Sequence, residues 1–362
     1  MNLINNEMTK KYNIGLALLR IWMCFEVVTD HFPILKGTRV GILDKLLELI
    51  FRYGSIAVPI FMISAFLLGG IEYSNDKVKK RIYRLCVPTL FWAVLYFIIY
   101  YVFSDFLHVK NYVHGWTDFL WQLLLGHSYN QTLWFQSDLI VLTVLFIILF
   151  RFLNYQKALL CCVIFAYVAL WLQFSGKNSQ MFVGICWPET IWGGYFHKSY
   201  VTYPIGRLIE MMPYAVLGIF IGYYKALEKL KKYANYAILG SLLCLQFFFS
   251  FSNYFSVPPG YGYEGINRIV IALATLILFY VLPLDRIPKR LKNAIIEVSN
   301  HTMAIYFMHR LIGILIYNTR LNLFFDMRKG SVHDCIIIFC FSLVVSLALS
   351  KIPIRFIRTS MS

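Results

Sequence analysis

The chain has 362 residues, of which 59% are hydrophobic, 18% aromatic and only 14% charged, with a formal net charge of +16 at pH 7. Its mean hydropathy is positive, and a water-soluble protein of this length could not cover so much apolar surface, so an all-α polytopic membrane protein is predicted. The Lys and Arg excess falls in short connectors between apolar runs, not in a basic stripe interleaved with exposed aromatics, which argues against a nucleic-acid partner.

Ten segments satisfy the rough requirement of about 17–25 mostly apolar residues for a spanning helix. They lie near 13–35, 54–73, 86–104, 132–150, 158–174, 208–224, 234–252, 266–284, 302–319 and 334–352. The first follows Lys10 and Lys11, as a signal peptide would, but it is too long, carries four ionisable groups and lacks a small-residue cleavage site. It is predicted to be retained. Most basic residues fall in alternate connectors, so the positive-inside rule puts both termini in the cytoplasm. An even helix count agrees. Long connectors at 36–53, 105–131, 175–207 and 253–265 then lie outside, with 41–53 patterned like a helix on the membrane surface. No internal repeat or long hydrophilic stretch is present, so one membrane domain is expected over 1–362 in a multi-pass protein of the cell membrane, surrounded by membrane lipids.

The first segment carries the most chemistry. Arg20, Glu26, Asp30 and His31 sit within an otherwise apolar helix, and ionisable residues at such depth usually face a protein or water-filled interior. Eleven residues, about three turns, separate Arg20 from His31, so both fall on one face with a rise of roughly 16 Å between them. Arg20 offers a permanently charged planar fork for an anionic group, and His31 suits proton transfer near neutrality. Glu26 and Asp30 are placed to orient or charge-balance the imidazole. A purely structural ion pair between Arg20 and a carboxylate stays open.

Further along, Arg81 and Arg84 in the basic stretch 77–88 share a helical face and suit phosphates, although topology alone also puts charge there. Ser64 in the second segment is a candidate hydroxyl or oxyanion partner, or simply a helix-packing residue. Trp134 and Phe135, with Gln136, open the fourth segment and suit either an interface anchor or a platform for a sugar ring. Tyr306 and His309 share a face of the ninth segment beside Arg310. His108, His114, His127 and His197 lack carboxylate or cysteine partners at ligand spacing, and the eight cysteines show no CxxC pattern, so no metal site is expected.

In order along the chain, these segments resemble the membrane-bound acyltransferase type 3 family, which includes bacterial cell-surface polysaccharide O-acetyltransferases. The most specific likeness is Arg20 followed after ten residues by His31. GSIAVPIFMISAFLL (54–68), RIYRLCVP (81–88), TLWFQSDLIV (132–141), RLIEMMPYAVLGIFIG (207–222) and SNHTMAIYFMH (299–309) match further family elements. Ala17 stands where the family often has Asp, and Ala65 replaces the usual glycine after Ser64. The resemblance implies acyl transfer from cytoplasmic acyl-CoA, most often acetyl-CoA, to a hydroxyl of a glycan or its lipid-linked precursor. It implies His31 as the base or acyl-handling residue, Arg20 as a donor-positioning residue, and Arg81 and Arg84 at the CoA phosphates. On the chemistry of the side chains themselves, Ser64 is a candidate beside the donor, and Trp134, Phe135, Tyr306 and His309 are candidates at the acceptor, with His309 equally suited to a plain interhelical hydrogen bond. Direct transfer and an acyl-enzyme relay both fit this pattern. A transporter or exporter of a glycan or small acid would also bury ionisable groups, but paired broken helices in inverted repeats, common in transporters, are not evident.

Overall fold

The computed structural model describes residues 13–32, 56–68, 75–102, 133–174, 198–251, 266–319, 321–325, 332–352 and 357. Among these residues the regular structure is entirely helical. In chain order the helices are α1 (Ile14–His31), α2 (Ala57–Leu68), α3 (Asn75–Val102), α4 (Leu133–Phe152), α5 (Tyr155–Phe174), α6 (Lys198–Tyr223) and α7 (Ala226–Lys231). There follow α8 (Ala234–Phe251), α9 (Ile266–Val281), α10 (Lys289–Asn300), α11 (Thr302–Asn318), α12 (Leu321–Phe324) and α13 (Val332–Ser350). Every apolar segment predicted from sequence overlaps one of these helices. The predicted surface helix at 41–53 and the four loop histidines lie outside the described residues.

α1 begins at a strong cap. The Asn13 Oδ1 accepts the Leu16 N–H at 3.0 Å, satisfying one of the donors that every helix N-terminus leaves unpaired. The same amide donates through Nδ2 to the Tyr280 carbonyl at 3.0 Å, tying the cap to the end of α9. Close approach there requires Gly15, because a Cβ would stand 1.7 Å from the Phe279 carbonyl oxygen. Leu16, Leu19, Met23, Val27 and Val28 are buried, and α1 packs against α2, α9, α10, α11 and α13. It is the centre of the bundle. Near its other end the Phe32 carbonyl accepts from the Cys335 thiol of α13 at 3.5 Å, and part-way along, the Cys24 thiol donates to the Thr302 carbonyl at 3.3 Å.

α2 is short and starts with Pro59 in its first turn, where a missing N–H costs no helical bond. Its main neighbour is α6. A Cβ at Gly218 would lie 2.4 Å from the Ile63 carbonyl oxygen, and one at Gly222 would lie 3.1 Å from that of Leu67. Glycines four apart thus let the two backbones touch, as in membrane helix pairs generally.

Two boundaries differ from the sequence expectation. Pro88 does not open the third helix: it lies inside α3, which starts at Asn75 and carries the basic stretch as its first turns. Proline removes one backbone donor here. Beside it, the Leu85 carbonyl takes hydrogen bonds from the Thr89 hydroxyl at 2.7 Å and from the Gln136 side-chain amide at 3.4 Å. α6 likewise starts at Lys198, so 198–207 belong to a helix and not to an outer connector. The basic connector after α9 also forms a helix, α10, with Lys289 and Arg290 exposed and Ser299 buried. Where α10 meets α11, the His301 ring nitrogen Nδ1 lies 2.7 Å from the Ser346 hydroxyl, joining this break to α13.

Among the described residues, four helices are long and apolar enough to cross a membrane: Asn75–Ile99 within α3, α4, Tyr155–Leu172 within α5, and α13. α1 has similar length but carries Arg20, Glu26 and Asp30. Beside an apolar core, large apolar side chains also face outward and several charged ones are buried. Leu160, Tyr167 and Trp171 of α5 and Leu239, Leu243 and Phe247 of α8 are exposed, whereas Glu26, Asp138, Arg207, His309 and Asp334 are buried. Such an apolar exterior is what a lipid environment requires.

The glycine contact yields a stability test. Gly218→Leu should destabilise the protein by about 1–3 kcal/mol through overpacking against backbone. Gly240→Leu, at a position with nothing within 4 Å, should leave it nearly unchanged. Thermal unfolding of both variants in detergent makes the comparison.

Candidate functional site

His31 closes α1 and is half-buried. Its imidazole stacks on that of His309 from α11, with ring centroids 5.1 Å apart and planes at 29°. The first and ninth predicted segments therefore bring their histidines together. His309 is fully buried at 0% exposure. Its Nδ1 lies 3.2 Å from the Ile305 carbonyl oxygen, and a carbonyl only accepts, so Nδ1 carries the hydrogen and Nε2 keeps its lone pair in the neutral ring. That Nε2 has no hydrogen-bond partner among the described residues. Arg310, the next residue, lies within electrostatic range of both rings.

From His309 a series of ring contacts runs to α4. Tyr306 lies 6.2 Å from His309, Phe135 lies 5.9 Å from Tyr306, and Trp134 lies 6.2 Å from Phe135. Phe61 of α2 fills in beside them, 6.3 Å from Phe135 and 6.4 Å from Tyr306. Phe135 and Tyr306 are buried while Trp134 is half-buried. The four residues expected at the acceptor thus form one continuous arrangement with His31.

Glu26 is 1% exposed. Its Oε1 accepts the Ile56 N–H at 3.4 Å, at the residue whose carbonyl starts α2, so the carboxylate caps that helix from a distance of 30 residues. Its Oε2 has no partner among the described residues. Asp30 is exposed at the last turn of α1. Arg268 of α9 acts electrostatically on both carboxylates. Arg20 is half-buried, three turns from His31 on the same helix.

At the start of α3 the two arginines have different surroundings. Arg81 donates through Nη2 to the Ala65 carbonyl at 3.2 Å and lies over the Phe66 ring at 5.0 Å, closing the C-terminal end of α2 beside buried Ser64. Arg84 is exposed. Of the pair, Arg84 is the guanidinium open to an external anion.

Sequence reasoning missed an ion pair. Arg207 of α6, counted as an outer-loop charge, is 7% exposed, and Asp138 of α4 is 2% exposed. Their side chains meet at 3.3 Å through both Nε–Oδ2 and Nη2–Oδ1. The Arg207 guanidinium also lies over the Trp134 ring at 5.1 Å. Arg268, inside the predicted segment 266–284, lies in the first turn of α9. The available signal was Asp138, a carboxylate four residues after Trp134 inside an apolar run. Among the described residues, no three His, Cys, Asp or Glu side chains converge as metal ligands would.

Buried acids, bases and guanidinium groups inside a helical bundle with an apolar exterior fit a membrane protein. The chain belongs to the acyltransferase type 3 family, whose acyltransferase-domain model matches residues 13–351. It is a membrane acyltransferase. No curated protein and no solved structure matches the chain.

The Glu26 cap can be separated from the charge of Glu26. Glu26→Ala should lower stability by about 0.5–2 kcal/mol, the usual cost of losing a helix cap. Glu26→Gln keeps an acceptor for the Ile56 N–H and should lose less. Chemical denaturation in mild detergent distinguishes the two.

Proposed function

We propose that the protein is a multi-pass O-acyltransferase of the plasma membrane that moves an acetyl group from cytoplasmic acetyl-CoA to a hydroxyl of a cell-surface glycan or its lipid-linked precursor. Ten spans with both termini in the cytoplasm accompany this reading. The basic residues exposed at the start of α3 and in α10, on the side that the positive-inside rule assigns to the cytoplasm, support that orientation. Moving Arg207 from an outer connector into α6 lowers the outer charge and strengthens the same asymmetry.

The observation that carries the proposal is the stacking of His31, on the helix that also holds Arg20, against His309 of α11. Acyl transfer from a thioester to a hydroxyl needs a base near the attacking oxygen and an electrostatic partner for the developing oxyanion. In the direct route, the hydroxyl oxygen bonds to the thioester carbonyl carbon while His31 takes the hydroxyl proton. The tetrahedral intermediate collapses with cleavage of the carbon–sulfur bond, and the CoA thiolate leaves with that proton. Nothing else is consumed. His309 holds the His31 ring by stacking, while Arg20 and Arg84 supply positive charge along the donor's route and the Trp134–Phe135–Tyr306 series receives the acceptor.

The test supplies labelled acetyl-CoA and glycan to membranes or purified protein. His31→Ala should reduce label transfer by roughly 10²–10⁴-fold, the range a general base contributes. Arg20→Ala should weaken use of acetyl-CoA. Folded variants that transfer label at the unaltered rate would sink the mechanism, and CoA-independent solute uptake into vesicles would favour a transporter instead.

A further inference from the structure

We infer that Arg207 and Asp138 are positioning residues for the acceptor: together they hold Trp134 as a fixed, electrically neutral platform on which a sugar ring of the glycan docks. The inference rests on the glycan-acceptor reading above and extends it to two residues that the reading does not use.

Three observations converge. First, the pair is costly where it stands. Desolvating two charges is repaid only by good geometry, and apolar replacements of buried ion pairs are often neutral or stabilising, so stability alone gives a weak reason for it. Second, the guanidinium is shared. Asp138 is one helical turn after Trp134, and Arg207 reaches across from α6 to meet both, at 3.3 Å and 5.1 Å. Its planar fork meets the carboxylate through one Nη2–Oδ1 hydrogen bond and the Nε–Oδ2 approach while its face covers the indole, a combination lysine cannot make. Third, Trp134 is the half-buried end of the ring series that leads to the histidines. An aromatic face carries partial negative charge, which attracts the C–H groups on one side of a pyranose ring. A lone guanidinium stacked on the indole would draw that charge away. Asp138, paired with the same guanidinium, offsets it, so the ring is held in place and keeps its attraction for C–H groups.

The ligand class is therefore a pyranose presented by its apolar face. Its hydroxyl edge is then directed along the series towards His31, where transfer takes place.

The test uses full-length protein in detergent with labelled acetyl-CoA. The acceptor probe is oligosaccharide cut from the host cell's surface polysaccharide and freed of ester groups by mild alkali. R207K should raise the acceptor KM about tenfold while kcat and the acetyl-CoA KM stay within about twofold, since the loss falls on acceptor binding shared by ground and transition states. The paired variant Arg207→Met with Asp138→Leu removes both charges without leaving either unpaired. It should unfold at or above the unaltered temperature and still show the raised acceptor KM. Recovery of the unaltered KM in that pair, or an unchanged KM in R207K, would make the ion pair merely structural and overturn the inference. Absence of label transfer by the unaltered protein would instead sink the acyl-transfer reading, and the inference with it.

Discussion

A helix that carries Arg20, Glu26, Asp30 and His31 stays in an apolar environment only when other protein groups surround those side chains. In this fold that requirement sets the arrangement of the bundle. α1 is enclosed by α2, α9, α10, α11 and α13, and several of its polar groups meet something specific. Glu26 caps α2, the positive charge of Arg268 of α9 acts on both carboxylates, and His309 of α11 stacks on His31. Helices that carry no such burden, α5 and α8, lie at the edge with Leu160, Trp171, Leu239 and Leu243 facing outward.

The same enclosure creates the site. Stacking requires α1 and α11 to approach closely, and Gly313 permits it, since a Cβ there would meet the Phe32 ring. Tyr317 supports the same corner by donating to the buried Asp334 carboxylate at 2.7 Å, while its ring lies 5.9 Å from Phe32. Thus the residues that shelter α1 from lipid also hold its histidine still. Packing and chemistry share one set of contacts.

Much of this was legible in the sequence because hydropathy is additive along a helix. The all-α fold, the locations of the apolar helices and the pairing of Arg20 with His31 on one face follow from spacing alone. Trp134, Phe135, Tyr306 and His309 were also singled out, although only the fold shows the ring contacts that join them. What could not be read is cancellation at long range. Arg207 looks like a loop charge until Asp138, 69 residues earlier, neutralises it. Pro88 looks like a helix start because the local rule favours proline there, yet α3 continues through it. Arg81 and Arg84 share a face by spacing, but the end of α2 takes up one and leaves the other exposed.

The position of α1 also constrains how the protein is made. Its closest ties are to the far end of the chain: Asn13 to Tyr280, Cys24 to Thr302 and Phe32 to Cys335 are separated by 267, 278 and 303 residues. A ribosome delivers α1 first and its partners last, at about 5–20 residues per second. For tens of seconds a helix with four ionisable groups therefore waits in the membrane without most of the groups that shield it. During that interval it depends on the insertion machinery or on water at the bilayer surface, and a chain cut short before α11 leaves those charges exposed to quality control.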